Sequence, residues 1–147
     1  MWYRNIPFFR TLDDVEGREI MSISESREFR IGDRILEEGE RGPGLFVISR
    51  GEVVIQKKAL AGEPEVLARL QPGEFFGEMS LVTDLPTAAE AVASEPTTTI
   101  FIPRRALTRL LADWPELDLK LSREFMRALA RRLYEADELL ITYRLFG

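Results

Sequence analysis

The sequence predicts an α+β fold that is mainly β: an antiparallel β-roll of the double-stranded β-helix or jelly-roll type, with N-terminal helices and a long C-terminal helix. Between residues 28 and 103, short apolar runs alternate with turns that contain Gly or Pro, a pattern typical of many short antiparallel strands. After Pro103 the apolar residues recur every third or fourth position, which indicates helices. A chain of 147 residues is long enough for one domain with a core of ordinary size.

We therefore expect a single domain over 1–147 with three segments. These are an N-terminal helical segment (1–27), the β-roll (28–103) and C-terminal helices (104–143).

Two local patterns refine this division. Asp13 and Glu16 have the spacing of a capping box and predict a helix start, although Gly17 weakens the helix that follows. The runs LFVIS and EVVIQ flank Arg50-Gly51 and predict a β-hairpin.

The composition excludes several classes of function. The chain has no Cys and no His, so it lacks a thiol nucleophile, a thiolate metal site and the most common general base. We therefore predict no catalytic residues, no metal and no resident cofactor. The net charge of −5 disfavours nucleic-acid binding. No apolar run approaches the roughly 20 residues that cross a bilayer, and the N-terminus does not resemble a signal peptide. The sequence thus predicts a cytoplasmic protein without a membrane or nucleic-acid partner.

The long helix predicted after Pro115 carries two apolar stripes. Leu117, Leu121 and Phe125 form one, which is suited to packing on the roll. The other follows a heptad pattern and is made of Leu119, Ser122, Met126, Leu129, Leu133, Ala136, Leu140 and Tyr143. One small domain cannot easily bury both stripes, so the heptad seam predicts a homodimer through this helix. The alternative is that both stripes belong to the core of a single chain.

Residues 72–89 read PGEFFGEMSLVTDLPTAA and form the candidate ligand site. A glycine such as Gly77 lets backbone approach a ligand closely, and a helical turn that follows it directs unpaired N–H groups at an anion. A carboxylate such as Glu78 accepts hydrogen bonds from sugar hydroxyls. The alternative for this pair is a turn glycine beside a solvated glutamate.

The stretch GDRILEEGERGPGLFVISRGEVVI, followed by LARLQPGEFFGEMSLVTDLPTAA, resembles the cyclic-nucleotide-binding domain family. This family includes the sensor domains of catabolite-activator-type regulators, the regulatory subunits of the cAMP-dependent kinase and nucleotide-gated channels. The resemblance covers about residues 6–140 and implies that PGEFFGEMSL begins a phosphate-binding cassette. Gly77 would then be the close-approach glycine, and Glu78 would accept from the ribose 2′-hydroxyl. The resemblance also implies that the cyclic phosphate faces the N–H groups of Met79, Ser80 and Leu81.

The cassette departs from the family pattern at its end. Nucleotide-binding members continue with Leu-Pro and then Arg-Ser-Ala or Arg-Thr-Ala, whereas this chain reads LPTAA. Thr87 stands at the arginine position, Ala88 at the hydroxyl position, and Ala89 follows. Loss of the arginine is expected to weaken cyclic-nucleotide affinity by roughly 10- to 1000-fold. The sequence thus predicts a regulatory module in which binding of cAMP or cGMP is lost or weakened.

The sequence is also compatible with three other functions. A substitute cation would leave a working cAMP or cGMP sensor, and the basic residues considered for it are Lys57, Lys58, Arg69, Arg104 and Arg105. The pocket could instead hold a neutral or cationic small molecule, because an unpaired Glu78 repels anions. A third possibility is a scaffold domain that docks a protein partner through the C-terminal helix.

The resemblance also implies that the last helix closes over the base, with Arg127, Arg131, Arg132 and Tyr134 as candidate lid residues. We favour the alternative, in which Arg131 and Arg132 lie on a solvated helix face with pairs such as Arg131–Glu135. Many bacterial relatives carry a DNA-binding winged helix after this helix. No DNA-binding domain is expected here, because the sequence ends at Gly147.

Overall fold

The computed structural model describes residues 2–146, except for the side chains of Trp2, Tyr143 and Phe146. The predicted seam position Tyr143 thus lies outside the described side chains. Two short 3-10 helices come first, at Trp2–Asn5 and Pro7–Phe9. The elements that follow are α1 (Asp14–Ser22), β1 (Glu25–Phe29), β2 (Arg34–Leu36), β3 (Gly44–Arg50), β4 (Val53–Lys57), β5 (Glu65–Leu70), β6 (Phe75–Phe76), α2 (Met79–Val82), β7 (Glu90–Ala93), β8 (Thr97–Pro103), α3 (Arg104–Asp113) and α4 (Pro115–Phe146).

The strands form two four-stranded antiparallel sheets, with the orders β1-β8-β3-β6 and β2-β7-β4-β5. Apolar side chains of β3 alternate between two core clusters: Leu45 and Val47 join the helices, while Phe46 and Ile48 pack between the sheets. The predicted antiparallel roll with helices at both ends is confirmed.

The predicted hairpin around Arg50-Gly51 is wrong. The strands β3 and β4 lie in different sheets, and β4 pairs with β5 and β7 instead. At Gly51 the backbone has φ of +91°, and a Cβ there would lie 2.4 Å from the carbonyl oxygen of Pro96. This close approach lets the chain turn from one sheet to the other. The β3 residues from Leu45 to Ile48 are all buried, so their sequence pattern does not reveal which strands are their neighbours.

The structure of the N-terminal segment confirms the predicted capping box and shows why residue 17 is a glycine. The N–H of Glu16 donates to Asp13 at 2.8 Å, and the N–H of Asp13 donates to Glu16 at 2.9 Å. A Cβ at Gly17 would lie 2.0 Å from the hydroxyl oxygen of Tyr3, so only glycine leaves room for that ring. The first strand begins at Glu25 rather than residue 28, because its polar residues pair with β8 at the sheet edge. The last helix continues past 143 to Phe146.

The helix α4 packs on the roll through the predicted inner stripe. Leu117 and Leu121 are fully buried and Phe125 is 9% exposed, as the apolar spacing predicted. Lys120 donates to the buried Glu16 of α1 at 2.5 Å, and this hydrogen bond raises the pKa of Lys120. These contacts fix the first three turns of α4 relative to the sheets. Within residues 2–146, no helix is both long and apolar enough to cross a bilayer.

Candidate ligand-binding cassette

A tight turn between β6 and α2 places the backbone of the candidate cassette. Gly77 has φ of +88°, and a Cβ there would lie 2.3 Å from the carbonyl oxygen of Gly44 in β3. The glycine is therefore required by close packing of two backbone segments, whether or not a ligand is bound. The four-residue helix α2 follows directly. The N–H of Leu81 donates to the carbonyl oxygen of Glu78 at 3.0 Å. Of the three N–H groups expected to face the phosphate, that of Leu81 is therefore used within the turn, which leaves those of Met79 and Ser80.

Glu78 is buried and is paired with a cation. Its side chain accepts a hydrogen bond at Oε1 from Nη1 of Arg132 on α4, and Nη2 of Arg132 donates to the carbonyl oxygen of Phe75. The guanidinium carbon lies 5.2 Å from the centre of the Phe75 ring. Glu78 is only 7% exposed, so its carboxylate is largely removed from water, whereas the Arg132 side chain is 31% exposed. The expectation that Glu78 lacks a cationic partner is wrong, and so is the solvated position expected for Arg132.

The other end of the cassette is fixed by main-chain hydrogen bonds to the loop before β3. The N–H of Gly39 donates to the carbonyl oxygen of Thr87 at 2.8 Å, and the N–H of Thr87 donates to that of Glu40 at 2.8 Å. Ser80 and Thr87 both lie close to Gly42, where a Cβ would be 3.2 Å from the Ser80 hydroxyl and 3.9 Å from the Thr87 hydroxyl. The backbone of the cassette is thus held against the roll at Gly77 and again at Thr87.

Comparison with known proteins decides the family. The sequence matches the cyclic nucleotide-binding domain over residues 26–113, which is more than half of the chain. The chain belongs to the cyclic nucleotide-binding domain family.

Three relatives illustrate the breadth of this family. The cyclic AMP receptor protein of Thermus thermophilus is 34% identical over 131 residues, which cover 89% of this chain and 59% of that protein. The structure of a cyclic nucleotide-binding domain from Methylobacillus flagellatus is 26% identical, with a TM-score of 0.86, and covers 97% of this chain and 84% of that one. The regulatory subunit of a cAMP-independent protein kinase A from Trypanosoma brucei is 25% identical, with a TM-score of 0.76 over 92% of this chain and 48% of that one. This cyclic nucleotide-binding domain therefore spans about three fifths of its Thermus relative and half of its trypanosomal relative.

One groove of this cyclic nucleotide-binding domain lies between α4 and the β5–β6 turn. Its volume is about 560 Å³, and Leu67, Ala68, Phe75, Arg131 and Arg132 are among the residues that line it. Because Arg132 also contacts Glu78, its side chain lies between the groove and the cassette. The groove is thus bounded on the cassette side by an arginine that α4 supplies.

Of the four candidate lid residues, Arg132 binds Glu78, and no hydrogen bond or ion pair of the described residues joins the other three to this carboxylate. Arg131 is exposed and lines the groove, whereas Arg127 pairs with Glu124 at 2.9 Å and Tyr134 is 66% exposed. Among the ion pairs of the described residues, the expected Arg131–Glu135 pair does not occur. Arg132 follows Phe125 and Ala128 at helical spacing, so it continues the buried stripe of α4. That spacing is the sequence signal that could have identified it.

The five basic residues that the sequence offers as substitute cations lie in different parts of the structure. Nζ of Lys57 is 3.1 Å from the carbonyl oxygen of Ala88, at the end of the cassette, and 3.6 Å from a carboxylate oxygen of Glu38. Arg69 pairs with Glu52 at 3.1 Å. The pKa of Glu52 is lowered by hydrogen bonds from Ser94, Gln71 and Arg69.

The remaining three substitute cations do not contact the cassette end. The side chain of Lys58 is exposed. Arg104 and Arg105 line a second groove, which lies between α2 and α3. Among the hydrogen bonds of the described residues, Lys57 is thus the one of the five cations whose side chain donates to the end of the cassette.

Removing the cation of the Arg132–Glu78 pair is expected to destabilise the domain. The variant Arg132→Gln leaves the Glu78 carboxylate buried and unpaired, which we expect to cost about 1–3 kcal/mol. This range lies below that of a fully buried pair because the Arg132 side chain is 31% exposed. The measurement is urea unfolding of Arg132→Gln, Glu78→Gln and the double variant. Arg131→Gln, one residue away and exposed, is the control and should change stability by less than about 0.5 kcal/mol. A coupling energy near zero between Arg132 and Glu78 would contradict the pairing.

Proposed function

We propose that this chain is a non-enzymatic regulatory module of the cyclic nucleotide-binding family in which cyclic-nucleotide binding is lost or weakened. The observation that carries the proposal is Thr87 at the end of a well-formed cassette. Its backbone is pinned to the loop at Gly39 and Glu40, so the segment has an ordered conformation but lacks a guanidinium at this position. A charge-assisted hydrogen bond to phosphate contributes roughly 1.5–3 kcal/mol.

The two basic side chains that form hydrogen bonds with the cassette, Arg132 and Lys57, also have other partners within the chain. Arg132 is held by Glu78 and Phe75, and Lys57 by Ala88 and Glu38. An incoming cyclic phosphate would have to take a cation from one of these partners. The ribose hydroxyl would likewise compete with Arg132 for Glu78. These internal pairs therefore support weak binding of cyclic nucleotides, as the missing arginine does.

The trypanosomal relative provides independent support. Its regulatory subunit belongs to a kinase that is described as cAMP-independent. A triple mutant of that subunit, in which one substitution replaces threonine by arginine, has been solved with cAMP bound in the A site. A threonine-to-arginine exchange therefore accompanies cAMP binding in a protein with the same fold.

Calorimetric titration with cAMP and with cGMP tests the proposal. We expect dissociation constants of about 0.1 mM or weaker, since a micromolar site loses roughly 10- to 1000-fold without its arginine. The cyclic AMP receptor protein of Thermus thermophilus, titrated in parallel, serves as the positive control. A dissociation constant in the low micromolar range for either nucleotide would refute the loss of binding.

The contact between Lys57 and the cassette favours one second candidate, a working sensor with a substitute cation. If the titration shows tight binding, Lys57→Met should abolish it, because an ammonium near Ala88 is then the phosphate partner. Lys58→Met is the matched control, since it removes the same charge from the next, exposed position.

We further infer that α4 forms a homodimer through its outer stripe. The large hydrophobic seam residues with described side chains are all at least 43% exposed in the single chain, and they are Leu119, Met126, Leu129, Leu133 and Leu140. The inner stripe already packs on the roll, so the seam is available for a second helix. A heterologous protein partner on the same seam is the alternative.

A further inference from the structure

A groove of about 560 Å³ on the far side of the cassette concentrates positive charge. It lies between α2 and α3, and its lining includes four arginines: Arg41, Arg104, Arg105 and Arg109. Among the described residues that line it, Asp84 is the only acidic one. With four positive charges and one negative charge, the lining carries a net charge of +3, although the whole chain carries −5. We call this surface the arginine groove.

Three of these arginines have no carboxylate partner. Among the ion pairs and side-chain hydrogen bonds of the described residues, none involves the guanidinium group of Arg104, Arg105 or Arg109. The fourth, Arg41, lies 3.7 Å from Asp84, whose side chain is fully exposed. The first turn of α3 contains no acidic residue, so these charges repel one another and the positive end of the helix dipole. An external anion would relieve this repulsion.

We propose that the arginine groove is the docking surface for an acidic segment of a protein partner. Arg105 and Arg109 are exposed and lie four residues apart on α3, so they face one direction about 6 Å apart along the axis. Two carboxylates at i,i+4 on a helix, or at i,i+2 on a strand, have nearly the same spacing. Guanidinium groups bind carboxylates in a planar, bidentate manner. The lining contains no aromatic side chain on which a nucleobase could stack, which favours a protein over a nucleic acid.

The position of the groove gives this surface a regulatory role. One of its walls is the cassette itself, since Ser80, Leu81 and Val82 line the groove. A ligand or partner that moves α2 therefore also changes the docking surface. The proposal goes beyond the proposed loss of nucleotide binding and does not depend on it, because the arginines lie outside the Gly77–Glu78 turn.

Fluorescence anisotropy with a labelled hexaglutamate peptide tests the proposal. We expect saturable binding to the full chain at low salt that weakens at least about tenfold when salt is raised to about 0.3 M. The variant pair Arg105→Glu and Arg109→Glu should reduce affinity by at least about tenfold. A second variant pair, Arg105→Gln and Arg109→Gln, should show an intermediate loss. Both pairs should retain wild-type unfolding midpoints, since the two side chains are exposed.

The matched control is Arg10→Glu with Arg18→Glu, which makes the same change in net charge at exposed positions away from the groove. Its affinity should fall by less than about threefold. Equal losses in the control and the α3 variants would show general electrostatic attraction and overturn the proposal, as would an unchanged affinity of the α3 variants. Tighter binding of a single-stranded oligonucleotide of equal charge through the same arginines would overturn the assignment to a protein partner. The cAMP titration is a separate readout, so either hypothesis can fail alone.

Discussion

Restoring the family residues at the end of the cassette, with Thr87→Arg and Ala88→Ser, is expected to increase affinity for cAMP by roughly 10- to 1000-fold. The backbone at residue 87 is already ordered by its two hydrogen bonds to Gly39 and Glu40, so the new side chain starts from a fixed position. The guanidinium supplies a bidentate, charge-assisted contact to the cyclic phosphate, and the new hydroxyl supplies another donor. Calorimetric titration of the double variant against the wild type measures the gain.

Two further variants separate this effect from a general increase in positive charge. Thr83→Arg introduces the same side chain at the C-cap of α2, four residues before Thr87, where Thr83 is also half-buried, and should raise affinity by less than about threefold. Thr87→Lys provides a point charge without the planar fork and should give a smaller gain than arginine. If the double variant binds cAMP no better than the wild type, the weak binding has another cause. The Arg132–Glu78 pair would then be the first to examine, because it occupies the carboxylate that the ribose requires.

Those features of the fold that depend on residues close together in the chain could be predicted from the sequence. The capping box of Asp13 and Glu16 and the inner stripe of α4 each depend on residues close together in the chain, and both were predicted correctly. The hairpin at Arg50-Gly51 was wrong for a physical reason. A strand that is buried on both faces has no alternating pattern to show which neighbour it pairs with. The jelly-roll topology, in which β3 and β4 belong to different sheets, is set by contacts between distant parts of the chain.

The site shows the same division between local and distant information. The missing arginine at Thr87 can be read directly from the sequence, and the turn at Gly77 follows from its position after β6. The partner of Glu78 could not be read in this way, because Arg132 lies 54 residues further along the chain. Its position depends on the angle at which α4 crosses the roll, which is fixed by the packing of Leu117, Leu121 and Phe125. A buried carboxylate requires a partner, and Arg132, which continues the buried stripe of α4, is that partner.

The variant Leu133→Glu is expected to dissociate the α4 homodimer. In a parallel pair of helices, an a-position residue packs against its counterpart, so the variant places two carboxylates together in place of two leucines. Burying each leucine contributes about 1.5–3 kcal/mol, and its loss together with charge repulsion should weaken self-association at least about 100-fold. Sedimentation velocity over a range of concentrations measures the monomer–dimer equilibrium.

The neighbouring residue provides the matched control for this prediction. Tyr134 is 66% exposed and Leu133 is 63% exposed, but Tyr134 points about 100° away from the seam on the helix. Tyr134→Glu should therefore leave the dimer intact, whereas a loss equal to that of Leu133→Glu would place the interface elsewhere on α4. A wild-type chain that sediments as a monomer at about 0.1 mM, roughly the weakest affinity expected of a specific dimer, would refute self-association. The exposed stripe would then have to be covered by a different protein, since large apolar patches on soluble domains mark contact surfaces.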